Sequence, residues 1–250
     1  MKIPAHRFLA AVVVWSMAWA SAGLAAVARE EAEDTARLLA ALLDAGRVVV
    51  DRNQALIDDP RKGQKGFTPE FFEGQVRFEF RERTGVDLGH LDPARVPPLA
   101  RELLPALVQA SKEVVTDAQV VINQRGIDYK NFIPATFGSQ AAARFSRKSS
   151  VRLKQTALQP RNPKNAPDAY ETAVLRRLAT QSSLSAPTSE LTDEGKILRV
   201  VSPIYYTKDC LKCHGGQAGE FDISGYPKEG AREGDLAGAI SVTIPLTGDR

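Results

Sequence analysis

The sequence predicts an α+β fold whose N-terminal half is helical. Apolar residues recur at helical spacing up to about residue 123, and shorter apolar runs bounded by glycine and proline follow. The chain is long enough for one domain with a substantial core. We expect a single domain over residues 27–250, mainly helical over 27–130 and mixed sheet and helix over 131–250.

Residues 1–26 have the organisation of a secretory leader. Lys2 and Arg7 precede an apolar run from Phe8 to Ala20, and two small-x-small cleavage sites follow. These sites are Ala20-Ser21-Ala22 and Gly23-Leu24-Ala25. The pattern predicts a signal peptide that is cleaved near Ala22 to Ala26, and hence a periplasmic protein. The alternative is an uncleaved membrane anchor, because residues 8–26 are nearly long enough to span a bilayer.

The charge of the exported chain argues against nucleic acid as a partner. Removal of the leader lowers the formal net charge from +3 to about +1, because Lys2 and Arg7 leave and no acid does. A near-neutral chain has no basic surface of the kind that binds nucleic acid. No later segment reaches 18 apolar residues, so no further membrane span is expected. The sequence leaves open whether the chain forms a homo-oligomer.

Three helices are predicted in the N-terminal half. The first extends from about Glu30 to Asp58, and the second begins at Thr68-Pro69-Glu70, with Thr68 as N-cap and Pro69 at the first position. The third extends from Pro97 or Pro98 to Asn123, and Pro105 either kinks it or marks its true start. The residues expected to be buried are Leu38, Leu39, Leu42, Leu43, Phe72, Val76, Phe80, Leu99, Leu103 and Leu107.

Strands alternate with helices in the second half. We expect two helices over Ser139–Lys148 and Asp168–Ala179, and three strands over Val151–Leu158, Ile197–Tyr206 and Leu236–Leu246. The connecting segments are an aromatic-rich connector at Asn131–Gly138, a turn at Arg161–Pro167, a surface loop at Thr180–Thr192 and a glycine-rich loop at Gly215–Gly234.

Residues 210–214 read Cys-Leu-Lys-Cys-His, and Cys210 and Cys213 are the only cysteines in the chain. The spacing C-x-x-C-H is typical of the attachment site of c-type haem. Each thiol adds to one vinyl group of the porphyrin, and the adjacent His214 becomes the proximal ligand of the iron. We therefore predict one covalent haem c. This haem is attached outside the bacterial cytoplasm, in agreement with the predicted leader.

Two other uses of the cysteine pair fit the motif less well. A structural zinc site needs four ligands, and the chain has no second cysteine pair. A redox disulfide would use Cys210 and Cys213 but would not need His214. Covalent haem is the interpretation that uses all three residues.

Three blocks of sequence resemble a known family. They are Pro160–Asp168, Cys210–Gly215 and Gly234–Pro245. Together they resemble periplasmic c-type haem domains with a PAS-like fold, known from a cyanobacterial haem protein and from extracytoplasmic sensor regions of bacterial kinases and chemoreceptors. The resemblance implies haem c bound on a small antiparallel sheet flanked by helices, with redox or ligand sensing as the role.

The sequence alone does not assign the sixth ligand of the iron. The chain has no methionine after residue 26, and both cysteines would be used by the haem. His90, in a loop after the second helix, is then the only conventional second axial side chain. The alternative is an exposed or hydrogen-bonded loop histidine, which leaves the iron water-ligated or five-coordinate. Two strong ligands favour electron transfer, whereas an open site favours a small ligand.

Basic residues around the first strand are candidates for the haem propionates. Arg152, Lys154 and Arg161 flank this strand and the turn after it, and arginine matches a carboxylate through its two-pronged donor geometry. The alternative is a solvated strand face.

The sequence favours a non-enzymatic function. We expect a sensor or electron carrier that meets a small diatomic ligand or a redox partner protein. The alternative is a haem enzyme such as a peroxidase, which needs an acid–base group beside an open iron. No set of residues suited to acid–base or nucleophilic catalysis is evident, so no catalytic residue is assigned.

Overall fold

The computed structural model describes residues 8–181 and 185–246, with side chains from residue 28 onward. Within these ranges the chain forms helices, concentrated in the N-terminal half, and a four-stranded antiparallel sheet. The predicted α+β class is therefore confirmed. The predicted leader lies in residues 1–26, whose side chains are outside the described part, so the leader and its cleavage stay predictions.

Five helices precede the sheet. They are α1 (Phe8–Arg52), α2 (Gln54–Ile57), α3 (Pro69–Thr84), α4 (Pro98–Ile122) and α5 (Pro134–Arg147). The start of α3 is as predicted: Oγ1 of Thr68 accepts a hydrogen bond from the backbone N of Phe71 at 3.2 Å, and Pro69 is the first residue. Pro105 lies inside α4 and does not start it.

The remaining elements form the sheet and its connections. They are β1 (Arg152–Thr156), α6 (Ala169–Ala179), β2 (Thr188–Thr192), β3 (Ile197–Tyr205), α7 (Leu211–His214) and β4 (Leu236–Pro245). The strand order is β1-β4-β3-β2 and every pairing is antiparallel. In this order β4 lies between β1 and β3, with Thr243 opposite both Arg152 and Arg199.

The sheet is covered on both faces. Alternate residues of a strand point to opposite faces, so Val200 packs into the large core formed with α1, α3, α4 and α5, whereas Val201 packs against α6. All ten helix positions predicted to be buried contribute to this large core; eight are buried, and Leu38 and Leu99 are partly buried and packed against it. The site described below lies in the connection between the two central strands, β3 and β4, beyond the part of the sheet that is covered on both faces.

Three predicted boundaries differ from the structure. The first predicted helix, from about Glu30 to Asp58, is interrupted at Asn53, so that α1 ends at Arg52 and Gln54–Ile57 forms α2. Residues 188–192 were expected in a surface loop but form β2, which pairs with β3 from Thr188 opposite Val201 to Thr192 opposite Ile197. Residues 134–138 were expected in a connector but form the first turns of α5, with Pro134 at its first position and Phe137 fully buried.

No helix in the described part of the chain combines the length and the apolar character needed to cross a membrane.

Candidate functional site

The Cys210–His214 turn lies in the connection between the central strands β3 and β4. The base of this connection is closed by two backbone hydrogen bonds, from Tyr206 N to Asp235 O and from Gly234 N to Tyr206 O, both at 2.9 Å. The strands therefore fix where the turn begins and where the loop after it ends.

The turn itself is helical. The backbone N of His214 donates to Cys210 O at 3.0 Å, and Cys213 N donates to the same oxygen at 3.2 Å. Both cysteines are half-buried free thiols. The helix ends at Gly215, where a Cβ would lie 2.9 Å from Leu211 O and 2.8 Å from Leu211 Cβ. A residue with a side chain at 215 would thus clash with the turn that carries the thiols.

The glycine-rich loop folds back onto this turn. Lys228 N donates to Glu220 O at 2.7 Å and Gly219 N donates to Lys228 O at 2.9 Å, which makes a short hairpin. After the hairpin, Ala231 N donates to His214 O at 2.9 Å. These contacts bring Glu229 beside the imidazole.

His214 is held by a carboxylate and by an aromatic ring. Its Nδ1 lies 2.7 Å from Glu229 Oε2. The Tyr206 ring packs against the imidazole with centroids 5.0 Å apart and planes inclined by 39°. Tyr205 points elsewhere, because its hydroxyl accepts from Ser185 N at 2.8 Å. Of these two tyrosines, Tyr206 is the one that contacts the imidazole.

Arg161 joins the turn to the loop. Its Nη1 donates to Asp222 Oδ2 at 2.6 Å, and its Nε donates to Glu229 Oε1 at 2.8 Å. Its Nη2 donates to Glu229 Oε2 and to Cys213 O, both at 3.0 Å. One guanidinium therefore binds two carboxylates and the backbone of the cysteine turn.

Asp222 is the buried anchor of the loop, with a side chain that is 0% exposed. Its Oδ1 accepts from Ser224 N at 2.8 Å, from Ser224 Oγ at 2.6 Å and from Tyr226 N at 3.1 Å. Burial alone would raise the pKa of this carboxyl, but the hydrogen bonds from Ser224 and Arg161 lower it to about 2.

The other titratable groups of the site respond to burial and to these charges. Burial raises the pKa of Tyr206 to about 12, and Glu229 acts in the same direction. Burial also raises the pKa of the Cys213 thiol, with Asp222 adding to the effect. Burial by itself would raise the pKa of Glu229, but the hydrogen bonds from Arg161 and His214 hold this pKa below its ordinary value. The site thus keeps both carboxylates ionised.

The other candidate residues lie away from this cluster. Lys154 Nζ donates to Ala166 O at 2.6 Å and to Glu171 Oε2 at 2.7 Å. Arg152 is exposed on the edge strand β1. Of the three basic residues suggested for the propionates, Arg161 alone contacts the cysteine turn, and for all three the propionate role stays a prediction.

His90 is exposed in the connection between α3 and α4, where its backbone N donates to Asp87 O at 3.0 Å. Helices α1 and α3 run antiparallel, since Glu79 pairs with Arg52 and Arg83 pairs with Asp44. The chain leaving α3 towards His90 therefore moves away from the C-terminal end of α1. The structure does not bring His90 to His214 through any described contact.

Glu229, Asp222 and the stacking of Tyr206 on His214 were not predicted as parts of the site. The loop that holds the two acids has no periodicity, and four acidic residues in it look alike in the sequence. The one local signal was Asp222-Ile-Ser224, a spacing at which an aspartate accepts hydrogen bonds from the backbone two residues on.

The surroundings of the turn include exposed apolar side chains. In the described part of the chain, no three His, Cys, Asp or Glu side chains are grouped so as to hold a metal ion. The hairpin beside the turn exposes Phe221 (75%), Ile223 (66%) and Tyr226 (46%). Such apolar exposure within one loop is typical of a surface that another apolar group covers.

Comparison with known proteins gives one family and one solved structure. The solved structure is the crystal structure of the cyanobacterial heme-protein Tll0287, which is 20% identical, covers 62% of this chain and 99% of that chain, and has a TM-score of 0.43. No curated protein sequence matches this chain. The family model named Tll0287-like matches residues 25–245, which include all four strands of the sheet and the whole Cys210–His214 connection. The chain therefore belongs to the Tll0287-like family.

Proposed function

We propose that this chain is an exported c-type protein with one haem, bound covalently through Cys210 and Cys213 and ligated by His214, and that it acts as a redox or small-ligand sensor or as an electron carrier. The observation that carries the proposal is the hydrogen bond that His214 makes with Glu229. Its Nδ1 is bound to Glu229 at 2.7 Å, which leaves Nε2 as the nitrogen for iron.

The residues at the turn fit a haem. One helical turn presents both thiols, and each is free and half-buried. Phe221, Ile223 and Tyr226 offer apolar surface next to the turn. Family membership supports the same cofactor, because the protein after which the family is named is described as a heme-protein. A PAS-like arrangement of sheet and helices is part of the proposal.

A bound haem would supply one-electron chemistry and a site for a diatomic ligand. The protein's contribution is to hold the proximal imidazole and to exclude other strong ligands. The sequence has no methionine after residue 26, and His90 lies in an exposed turn. We therefore favour an iron that is open on its distal side, and place sensing ahead of electron transfer.

A peroxidase is the less favoured alternative. It needs a distal acid–base side chain beside the iron, and His90, the one other histidine after the predicted leader, has no described contact with the site.

Mass spectrometry tests the covalent haem. Protein made together with a haem-attachment system should gain the mass of one haem, and Cys210→Ala combined with Cys213→Ala should gain none. His214→Ala should change the absorption spectrum of the iron, whereas the matched histidine control His90→Ala should not. Wild-type protein with zinc, or with a disulfide in place of haem, would overturn the proposal.

Carbon monoxide separates the sensor from the electron carrier. An open distal side predicts that the reduced protein binds carbon monoxide readily. If the reduced protein refuses carbon monoxide, a strong sixth ligand is present and electron transfer becomes the function.

N-terminal sequencing of the exported product tests the localisation. Cleavage of the leader predicts a first residue between Gly23 and Val27. An intact leader in the membrane fraction would show an anchored protein instead.

A further inference from the structure

We propose that Glu229, held by Arg161, is a positioning residue that sets the orientation and the donor strength of the His214 imidazole, and thereby stabilises the oxidised state of the iron. This inference rests on the proposed function, because it concerns the group that His214 ligates. It adds a regulating carboxylate that the cysteine–histidine motif itself does not contain.

The first argument is the geometry of the imidazole. The Glu229 Oε2 to His214 Nδ1 distance of 2.7 Å is that of a strong, charge-assisted hydrogen bond. A carboxylate that accepts the Nδ1 proton fixes the ring tautomer and raises the basicity of the opposite nitrogen. The Tyr206 ring packs on the imidazole with centroids 5.0 Å apart, so the ring is restrained both at its edge and on its face.

The second argument is that Glu229 is itself held in place. Arg161 donates through Nε to Oε1 at 2.8 Å and through Nη2 to Oε2 at 3.0 Å, which is the two-pronged geometry of arginine with carboxylate. The same guanidinium is fixed by the fully buried Asp222 and by Cys213 O. The Glu229 carboxylate is therefore held facing His214 by a hydrogen-bonded network of four groups. They are the Arg161 guanidinium, the carboxylates of Glu229 and Asp222, and the backbone oxygen of Cys213.

The third argument is charge. Arg161 contributes one positive charge and is shared by two carboxylates, Asp222 and Glu229. The cluster behind the imidazole therefore carries one net negative charge while His214 is neutral. Negative charge close to a metal stabilises its higher oxidation state, and more so where burial weakens solvent screening.

Glu229→Gln tests the inference directly, because it keeps the size of the side chain and removes the charge. The matched control is Glu220→Gln in the same loop, whose carboxylate is 54% exposed and lies 3.6 Å from Lys228 Nζ. The two measurements are the reduction potential and, by resonance Raman spectroscopy, the iron–histidine stretching frequency of the reduced protein.

We expect Glu229→Gln to shift the oxidised-to-reduced equilibrium about tenfold towards the reduced form, on the scale of the ten- to hundredfold effects on metal affinity or activity that follow the loss of such a partner. For a one-electron couple this is about 59 mV. The iron–histidine frequency should fall, because the imidazole becomes a weaker donor. Glu220→Gln should leave both values at those of the wild type.

Unchanged potential and unchanged frequency in Glu229→Gln would overturn the inference. If that variant does not fold, as judged by circular dichroism, Glu229→Asp provides the second test: it keeps the charge but draws it back, so it should show a smaller shift in the same direction. A merely structural role would change stability without moving the iron–histidine frequency. The mass of the wild-type protein is measured first. If it shows no bound haem, the proposed function itself is overturned, and this outcome is distinct from a failure of the inference about Glu229.

Discussion

Removal of the buried charge at Asp222 should destabilise the protein in a way that depends on pH. In the folded protein the pKa of this carboxyl falls from an ordinary 3.8 to about 2, against the effect of burial, because Ser224 and Arg161 donate to it. One pKa unit corresponds to about 1.36 kcal/mol, so the charged form contributes on the order of 2 kcal/mol to the free energy of unfolding at pH 7.

The sign follows from the lowered pKa. A carboxyl whose folded pKa is depressed stabilises the fold above its unfolded value of 3.8, and this contribution is lost as the pH falls towards about 2. For Asp222→Asn we therefore expect a pH-dependent loss of about 2 kcal/mol at pH 7 that shrinks to about 1 kcal/mol at pH 3. Placing an amide against Arg161 adds a further loss of stability that is the same at both pH values.

Urea unfolding followed by circular dichroism at pH 7 and pH 3 measures this difference. The control is Asp117→Asn, which removes an exposed carboxylate that also accepts from an arginine, Arg144 Nη2, at 2.6 Å. An exposed pair of this kind contributes less than about 1 kcal/mol. The reasoning is refuted if Asp222→Asn costs no more than the control, or if its cost is the same at both pH values.

Three further predictions concern packing, ligation and capping. Gly46→Ala should lower the free energy of unfolding by about 1–3 kcal/mol, because its Cβ would lie 2.6 Å from Cε1 of the fully buried Phe137. Gly74→Ala should instead raise the free energy of unfolding by about 0.5–1 kcal/mol in the same urea titration, because Gly74 lies in a helix and its new Cβ would have no atom within 4 Å. His90→Ala should leave the oxidised and reduced absorption spectra and carbon monoxide binding unchanged; carbon monoxide binding that appears only in the variant would identify His90 as the sixth ligand. Asp168→Ala removes the side-chain acceptor of the capping box at the start of α6, where Asp168 Oδ1 accepts from Glu171 N, and should cost about 1 kcal/mol, measured by thermal unfolding; an unchanged midpoint would contradict this role of the cap.

Elements with local start signals could be predicted from the sequence. Thr68-Pro69 at the start of α3 and Asp168 at the start of α6 act through hydrogen bonds within four residues, so the sequence around them contains the whole signal. The cysteine–histidine turn is local in the same sense, since Cys210 O accepts from His214 N four residues on.

Features that depend on distant partners could not be predicted. Residues 188–192 are rich in serine and threonine and become β2 only because β3 offers an edge to pair with. The carboxylate beside His214 is selected from four loop acids by the backbone bond from Ala231 to His214 and by Arg161, which comes from a turn more than fifty residues earlier. Neither contact leaves a pattern in the residues next to it.

The central position of β4 has a consequence for biosynthesis. Proteins are made from the N-terminus, and β4 follows the Cys210–His214 turn in the chain while pairing with both β1 and β3. Until residues 236–245 have been synthesised, β1 has no neighbour in the sheet and β3 has only its edge partner. The two thiols therefore leave the ribosome ahead of the strand that completes the sheet, so both are synthesised while the sheet that will frame them is still incomplete.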